Sequence, residues 1–407
     1  MTILVDCRCL NYPYFTGVNT YVIRLLHTLY KIKKSNLDIH ITALGIQFVI
    51  WQKLIDRFDF LTDLFDTQLT MQEYLSGYTW TKNIKSVNKA KIMELEILIR
   101  KTTKTDLFSD LIPYFDFVIC PQPRVLPIHT NSNLITVFHD IYAILTGNSK
   151  FPQNIIYSKV NCQKIINTSQ TIITNSICTA VDIAKIFPDS MSKIQTIYPA
   201  LPVLQEIESL SYIACQKNTK ENYQNFDLKN NSYILALSGF EQRKNWYNLI
   251  LAHHYLHQNH NWSTKLVLAG SIVDYEYYTS LKNLIQKHKI QNIIWIIQPT
   301  EIEKNNLLQK CMFMAYPSFY EGFGFPILEA QKYNKIVLTS RVSSMPEIGK
   351  NRCFYINPFD YIDIADGFLI LTRDLNFRQK LEQNITQNQA EYSWGELQFK
   401  LNKILKL

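Results

Sequence analysis

The stretch SFYEGFGFPILEA, residues 318–330, sets Glu321 and Glu329 eight positions apart around Gly322, Gly324 and Pro326. Proline suits the first residue of a helix because its missing N–H is not needed there, so the spacing predicts a loop over 322–325 and a helix over 326–333. Glu321 then precedes the helix and Glu329 lies in its opening turn. The apolar run CMFMAYPS (311–318) has the length of a buried strand, which makes the unit strand, glycine loop, helix start. The first N–H groups of a helix have no internal partner, so such a junction suits an anion. The plainer alternative is that Glu329 complements the helix dipole while the glycines make a turn.

Three further segments follow strands as ligand-binding loops do. In SGFEQRKNWYNLI (238–250), Arg243 and Lys244 stand side by side between a buried strand and a helix beginning near Asn245. Adjacent cations at that junction are costly without an anion. A pyrophosphate would answer the need, since the arginine fork grips two oxygens and lysine acts as a point charge. Solvated surface charge is the competing reading. VFHDIYAI (137–144) puts His139 and Asp140 at a strand end, where a histidine serves either a structural hydrogen bond or a ligand. In YFTGVNTYVIRLL (14–26), Gly17 permits close backbone approach before a helix, but Asn19 and Thr20 replace the glycines of a dinucleotide fingerprint.

Two other clusters invite a metal and do not support one. HHYLHQNH (253–260) spaces His253 and His257 one helical turn apart, yet His254 stands where a zinc protease motif has its glutamate, and no third ligand is evident. DYIDIAD (360–366) spaces its acids for a polar helix face. No metal and no cofactor are expected.

The elements that must position these residues alternate along the chain. Short β-branched runs, TILVD (2–6), IHITALG (39–45), FDFVIC (115–120), NLITVFHD (133–140) and TIITNS (171–176), are separated by helical patterns. A second series runs through SYILALSG (232–239), KLVLAGS (265–271), NIIWII (292–297), MFMAYPS (312–318), KIVLTS (335–340) and CFYIN (353–357). The polar stretch 208–231 divides the two. The expected architecture is α/β, two Rossmann-like parallel-sheet domains facing across a cleft, with ligands at the carboxyl ends of strands. The boundaries fall at 1–200 and 201–390, followed by a helix over 391–407 that Ser393 would cap.

A chain of 407 residues exceeds what one core usually serves, and 47% hydrophobic content excludes disorder as its theme. MTILVDCRCL turns polar too early for a signal peptide and no apolar run is long enough to span a bilayer, so a cytoplasmic location is expected. The eight cysteines form no CxxC pair and read as reduced thiols. The net charge of +8 fits an anionic ligand, nucleic acid or an anionic membrane. Much of the excess is local, in Lys82, Lys85, Lys89, Lys91, Arg100, Lys101 and Lys104. With the apolar run 48–65 upstream, that segment would suit a bilayer interface; a core-packing helix followed by a solvated one is the alternative. No nucleic-acid-binding motif is present, so no nucleic-acid partner is expected.

The order of a glycine-turn N-terminus, FHD, RKN, EGFGFPILEA and a terminal YSW helix resembles the retaining family 4 glycosyltransferases of GT-B fold, the glycosyl transferases group 1 type. The resemblance covers nearly the whole chain, is most specific in 235–250 and 311–347, and is weakest in 46–110. It implies that Arg243 and Lys244 grip the diphosphate of a nucleotide-sugar, Glu321 binds donor-sugar hydroxyls, and Glu329 binds the ribose. It places Phe323 and Gly324 at the sugar and phosphate through backbone N–H groups, His139 near the reacting carbon and Gly17 close to the phosphates. Ser238, Gly239, Gln298, Gly322 and Phe325 complete the implied donor site. Asn334 and Lys335, and Gln298 with Pro299, stand where the family commonly has glycine, which bears on base recognition.

The implied reaction moves a hexosyl unit from a GDP- or UDP-sugar to a glycan or lipid-linked acceptor with retention, without metal, in cell-envelope polysaccharide synthesis. A peripheral contact with the inner face of the cytoplasmic membrane goes with it. The alternatives are a nucleotide-sugar 2-epimerase and a non-catalytic sugar-nucleotide-binding partner of an active transferase. The missing fingerprint disfavours an oxidoreductase.

Overall fold

A computed structural model describes residues 1–11, 17–36, 38–47, 60–64, 67–74, 77–84, 113, 115–125, 132–147, 158–200, 228, 230–386 and 392–407. The chain divides into two units, Met1–Pro202 with Glu391–Leu407, and Val203–Ala390. Most of the dividing stretch 208–231, the turn 12–16 before Gly17, and residues 48–59 and 85–104 of the apolar and basic segments lie outside the described residues.

The first unit is built on an eight-stranded sheet: β1 (Thr2–Asp6), β2 (His40–Gln47), β3 (Thr67–Tyr74), β4 (Gly77–Ile84), β5 (Phe117–Cys120), β6 (Asn133–Phe138), β7 (Thr171–Thr174) and β8 (Ile194–Thr196). Its order is β4-β3-β2-β1-β5-β6-β7-β8. Every pairing is parallel except β3 with β4, which run antiparallel at the edge. The expected parallel sheet thus carries one antiparallel edge pair, and Thr81–Ile84 of the basic segment is strand rather than helix. β1 and β5 are buried along their whole length, as strands covered by helices on both faces must be. The C-terminal Trp394–Leu405 helix, capped by Ser393, belongs to this unit: Trp394 meets His27 of the Gly17–Ser35 helix edge-on at 4.7 Å, and Lys400 donates to Thr196 O at 3.2 Å.

The second unit is a six-stranded parallel sheet of β9 (Tyr233–Leu237), β10 (Lys265–Gly270), β11 (Ile293–Ile297), β12 (Phe313–Tyr316), β13 (Val337–Ser340) and β14 (Cys353–Ile356), ordered β11-β10-β9-β12-β13-β14. Counted from β9 this is the doubly wound order 3-2-1-4-5-6, in which the chain reverses its direction of travel between β9 and β12 and leaves a crevice at their carboxyl ends. Phe240, Trp246, Tyr278 and Trp295 pack together beneath the end of β9, with Phe240 4.6 Å from the Trp246 ring and 5.2 Å from Trp295. This anchors the loop that carries Arg243 and Lys244.

Each unit is thus a Rossmann-like domain, and two such domains in one chain make the GT-B fold class. Among the described residues no helix is long and apolar enough to cross a membrane, and the described cysteines are free. His253 is a core residue of the Trp246–Asn259 helix, its Nε2 3.2 Å from Gln291 O.

Gly270 ends β10 where the strand passes so close to Ser238 that a Cβ would sit 1.7 Å from Ser238 O. Gly270→Ala is expected to cost at least about 3 kcal/mol, because a backbone contact cannot rotate away. Gly395→Ala, whose Cβ would have no neighbour nearer than 4.0 Å, is the tolerated control. Denaturant midpoints of the two variants check this.

Candidate donor site

The loop after β9 is short and strongly held. Ser238 N–H donates to Ala269 O at 3.1 Å, and Gly239 O accepts from the Trp246 indole at 3.0 Å. A single 3-10 turn, Gln242–Lys244, then leads to Asn245, which takes the left-handed conformation at φ 60° before the Trp246–Asn259 helix. Asparagine tolerates that conformation better than most residues. Its buried side chain donates to Pro317 O at 2.9 Å and Pro358 O at 2.7 Å, tying the helix start to the loops after β12 and β14. The role of Asn245 is invisible in the spacing of the motif.

The loop after β12 is fixed by hydroxyls from the end of β13 and the residues beyond it. Thr339 donates to Tyr316 O at 2.9 Å and Ser340 to Ser318 O at 2.6 Å. Ser343 donates to Glu321 O at 2.6 Å and accepts from Glu321 N–H at 3.1 Å. The Ser344 hydroxyl lies 2.9 Å from Glu321 O and 2.8 Å from Phe323 O. Phe319 N–H donates to Arg243 O at 2.9 Å, which joins the two loops directly.

These restraints bring Arg243, Lys244 and Glu321 together. Arg243 Nη1 donates to Glu321 Oε2 at 2.9 Å, and Lys244 Nζ donates to Oε1 at 2.7 Å and Oε2 at 3.0 Å. Arg243 Nη2 reaches Glu241 Oε1 at 2.8 Å, and Lys244 Nζ also meets the Tyr316 hydroxyl at 3.2 Å. The anion that the cation pair demands is therefore supplied by the protein itself. Both carboxylate oxygens of Glu321 rest on cations, Oε1 on Lys244 and Oε2 on Arg243 and Lys244.

Burial by itself would raise the Glu321 carboxyl, but Lys244 and Arg243 beside it reverse the effect and hold it at about 2. The Tyr316 phenol is pushed well above its ordinary value by burial and by the Glu321 charge.

The helix after the glycine loop runs Phe325–Gln331, one residue earlier than the sequence predicts and two shorter at its end. Gly324, at φ 106°, sets the start; the left-handed Asn334, whose N–H donates to Gln331 O at 3.0 Å, marks the stop. Glu329 consequently lies in the second turn, not the first. Its carboxylate is 3.7 Å from Lys304. Gly322 and Phe323 are buried, and the Phe323 and Phe325 rings meet at 4.9 Å. Gln298 follows β11 at φ 52°, its N–H donating to Gly270 O at 2.9 Å. Gln298 and Asn334 thus keep the backbone conformation that glycine would adopt most easily.

In the first unit, His139 follows β6 and is buried, with Nε2 2.8 Å from Pro121 O. A carbonyl only accepts, so Nε2 carries the proton and Nδ1 of the neutral ring is left as an acceptor. Burial lowers the His139 imidazole below its ordinary value despite the opposing pull of the Pro121 bond and Asp140. The Tyr21 ring meets it edge-on at 4.9 Å. Asp6, at the end of β1, pairs with Arg124 after β5 at 2.9 Å, at the point where this sheet too reverses direction. Neither Asp6 nor Arg124 stands out in the sequence; a carboxylate closing a wholly apolar run was the available signal. Gly17 is exposed at the start of its helix. Among the described residues no cluster of three or more His, Cys, Asp or Glu is placed to hold a metal ion.

Residues 218–388 match the family model described as Glycosyl transferases group 1. O-antigen chain mannosyltransferase B of Escherichia coli is 25% identical over 288 residues, 69% of this chain and 72% of that protein. O-antigen chain mannosyltransferase RfbU of Salmonella typhimurium is 25% identical over 60% of this chain, which spans 61% of its length. In fold, the chain is similar to Anabaena HepE solved in complex with UDP-glucose, with a TM-score of 0.64 at 13% identity over 100% of this chain and 99% of that one. Sucrose-phosphate synthase from Thermosynechococcus elongatus gives a TM-score of 0.63 at 14% identity, over 100% and 98% of the two chains.

Because the Glu321 carboxyl is held at about 2 in the folded chain, its stabilisation is complete above the ordinary carboxylate range and is lost as pH falls from there toward about 2. Glu321→Gln leaves two largely buried cations without their main counter-charge and is expected to cost roughly 3–5 kcal/mol at neutral pH. It should also flatten the acid limb. Denaturant titrations of both proteins across that pH range check the sign.

Proposed function

We propose that this chain, which carries a glycosyl transferases group 1 domain on a GT-B fold, transfers a hexosyl unit from a UDP- or GDP-sugar to a glycan or lipid-linked acceptor with retention of configuration. The observation that carries the reading is the Arg243–Lys244 pair seated against buried Glu321 at the carboxyl ends of β9 and β12, the crevice where such sheets take nucleotides. Cleaving a sugar–diphosphate bond develops negative charge on the leaving phosphate and positive charge on the sugar. Fixed cations on the phosphate side stabilise the first and a buried carboxylate beside them favours the second.

Arg243 and Lys244 hold the diphosphate, with Ser238, Gly239, Gly322, Phe323, Gly324 and Phe325 forming the loops around it; Gly17 is assigned to the phosphates as well. Glu321 orients the two cations and accepts donor-sugar hydroxyls. Glu329 binds the ribose, and Gln298 lies toward the base. His139, neutral with Nδ1 as acceptor, supports the donor sugar, and the departing phosphate takes the acceptor's proton. The O-antigen chain mannosyltransferase relatives support a hexose donor and a place in cell-envelope polysaccharide synthesis. The charge stabilisation rests on side chains, so transfer is expected to persist in excess chelator.

Arg243→Ala and Lys244→Ala should each weaken donor binding or turnover by about 2–5 kcal/mol, the penalty for truncating one partner of a buried charge contact. Initial rates against UDP- and GDP-sugar panels check this.

The product should keep the donor's anomeric configuration, because an inverting enzyme needs a general base on the acceptor side and His139 is assigned to the donor. The NMR coupling constant at the new linkage reads the outcome. His139→Ala should slow turnover and leave that coupling unchanged.

A further inference from the structure

Arg243 is bracketed by two carboxylates, Glu321 at 2.9 Å and Glu241 at 2.8 Å, and Lys244 lies 4.0 Å from the same Glu241 oxygen. The cluster holds two cations and two anions and is formally neutral before any ligand arrives. A diphosphate adds negative charge at the same cations. Like charges a few ångströms apart repel by about 1 kcal/mol even in bulk water and by more beside protein. One carboxylate must give way for the arginine fork to hold a phosphate.

The two are not equivalent. The Glu321 side chain is 6% exposed, bonded to both cations, and its backbone is clamped by Ser343 and Ser344. The Glu241 side chain is 25% exposed and meets only Arg243 and Lys244 in ion pairing among the described residues. It caps no helix with its carboxylate; its backbone alone is fixed, through Glu241 N–H to Gly239 O at 3.0 Å and Lys244 N–H to Glu241 O at 3.0 Å. A rotation about its side-chain bonds releases the fork without disturbing the loop.

We propose that Glu241 is a displaceable counter-ion: its carboxylate holds Arg243 and Lys244 in place until the donor diphosphate replaces it, and reclaims them as the nucleoside diphosphate product departs. Glu241 thereby trades affinity for release. The proposal rests on the diphosphate reading of the cation pair and makes a separate claim about it. Removing the charge at 241 should strengthen binding, whereas removing it at 321 should not.

The test is calorimetric titration of the full chain and of Glu241→Gln and Glu241→Ala with UDP and with GDP, alongside donor kinetics. Both variants should bind the nucleotide that the unaltered chain prefers at least about threefold more tightly, the scale of one partly exposed ion pair. The donor KM and the product inhibition constant should fall together while kcat does not rise, and the difference should shrink as salt increases. If Glu241 only steadies Arg243, the alanine variant binds more weakly and the glutamine variant lies between; that result, or unchanged affinity in both, overturns the counter-ion role and leaves the diphosphate site standing. An unaltered chain that binds neither nucleotide overturns the diphosphate reading and this proposal with it.

Discussion

The second unit is organised around one buried carboxylate that two adjacent cations share. Without Glu321, Arg243 and Lys244 would place like charges side by side with little water to screen them. With it, the cations are fixed at the end of β9 and the carboxyl is held ionised far below its ordinary range. Such an arrangement is costly to assemble and cheap to use. The desolvation of the cations is met by folding, so on the proposed diphosphate role the donors would be fixed in place before a phosphate arrives.

The topology explains why these residues meet at all. Arg243 follows β9 and Glu321 follows β12, neighbours in the sheet although 78 residues apart in sequence. A sheet that winds outward in both directions from its first strand always leaves the loops after that strand and its new neighbour unfilled by a crossover helix. The first unit also carries an ion pair at its own reversal point, between Asp6 at the end of β1 and Arg124 after β5. Small side chains do the fine positioning. Ser343, Ser344 and Thr339 satisfy carbonyls of the loop after β12, and Asn245 crosses between three loops.

The strands of the second unit were legible because buried parallel strands are short, continuous and β-branched, and their ends fell within a few residues of the expected runs. The β3–β4 hairpin was not, since TQLTMQEY and GYTWTKNI alternate polar and apolar residues in the manner of an edge, and the lysines that follow suggested a charged helix instead. Arg243, Lys244 and Glu321 are marked by residue type and spacing, whereas nothing in the spacing of the loop singles out Glu241. Its meaning depends on a 2.8 Å contact that only the folded loop creates. The helix beginning at Phe325 rather than Pro326 has the same origin: the left-handed Gly324 sets its start, and backbone conformation is not written in the spacing of two glutamates.

On the proposed function the Arg243–Lys244 pair receives the donor's diphosphate and Glu321 remains its fixed counter-charge. A crystal structure of the chain with UDP or GDP bound tests this most directly. Phosphate oxygens are expected within about 2.7–2.9 Å of the Arg243 guanidinium and the Lys244 ammonium, with Glu321 still against both cations. A nucleotide whose phosphates lie elsewhere, with Arg243 and Lys244 still held by Glu321 and Glu241, would contradict it.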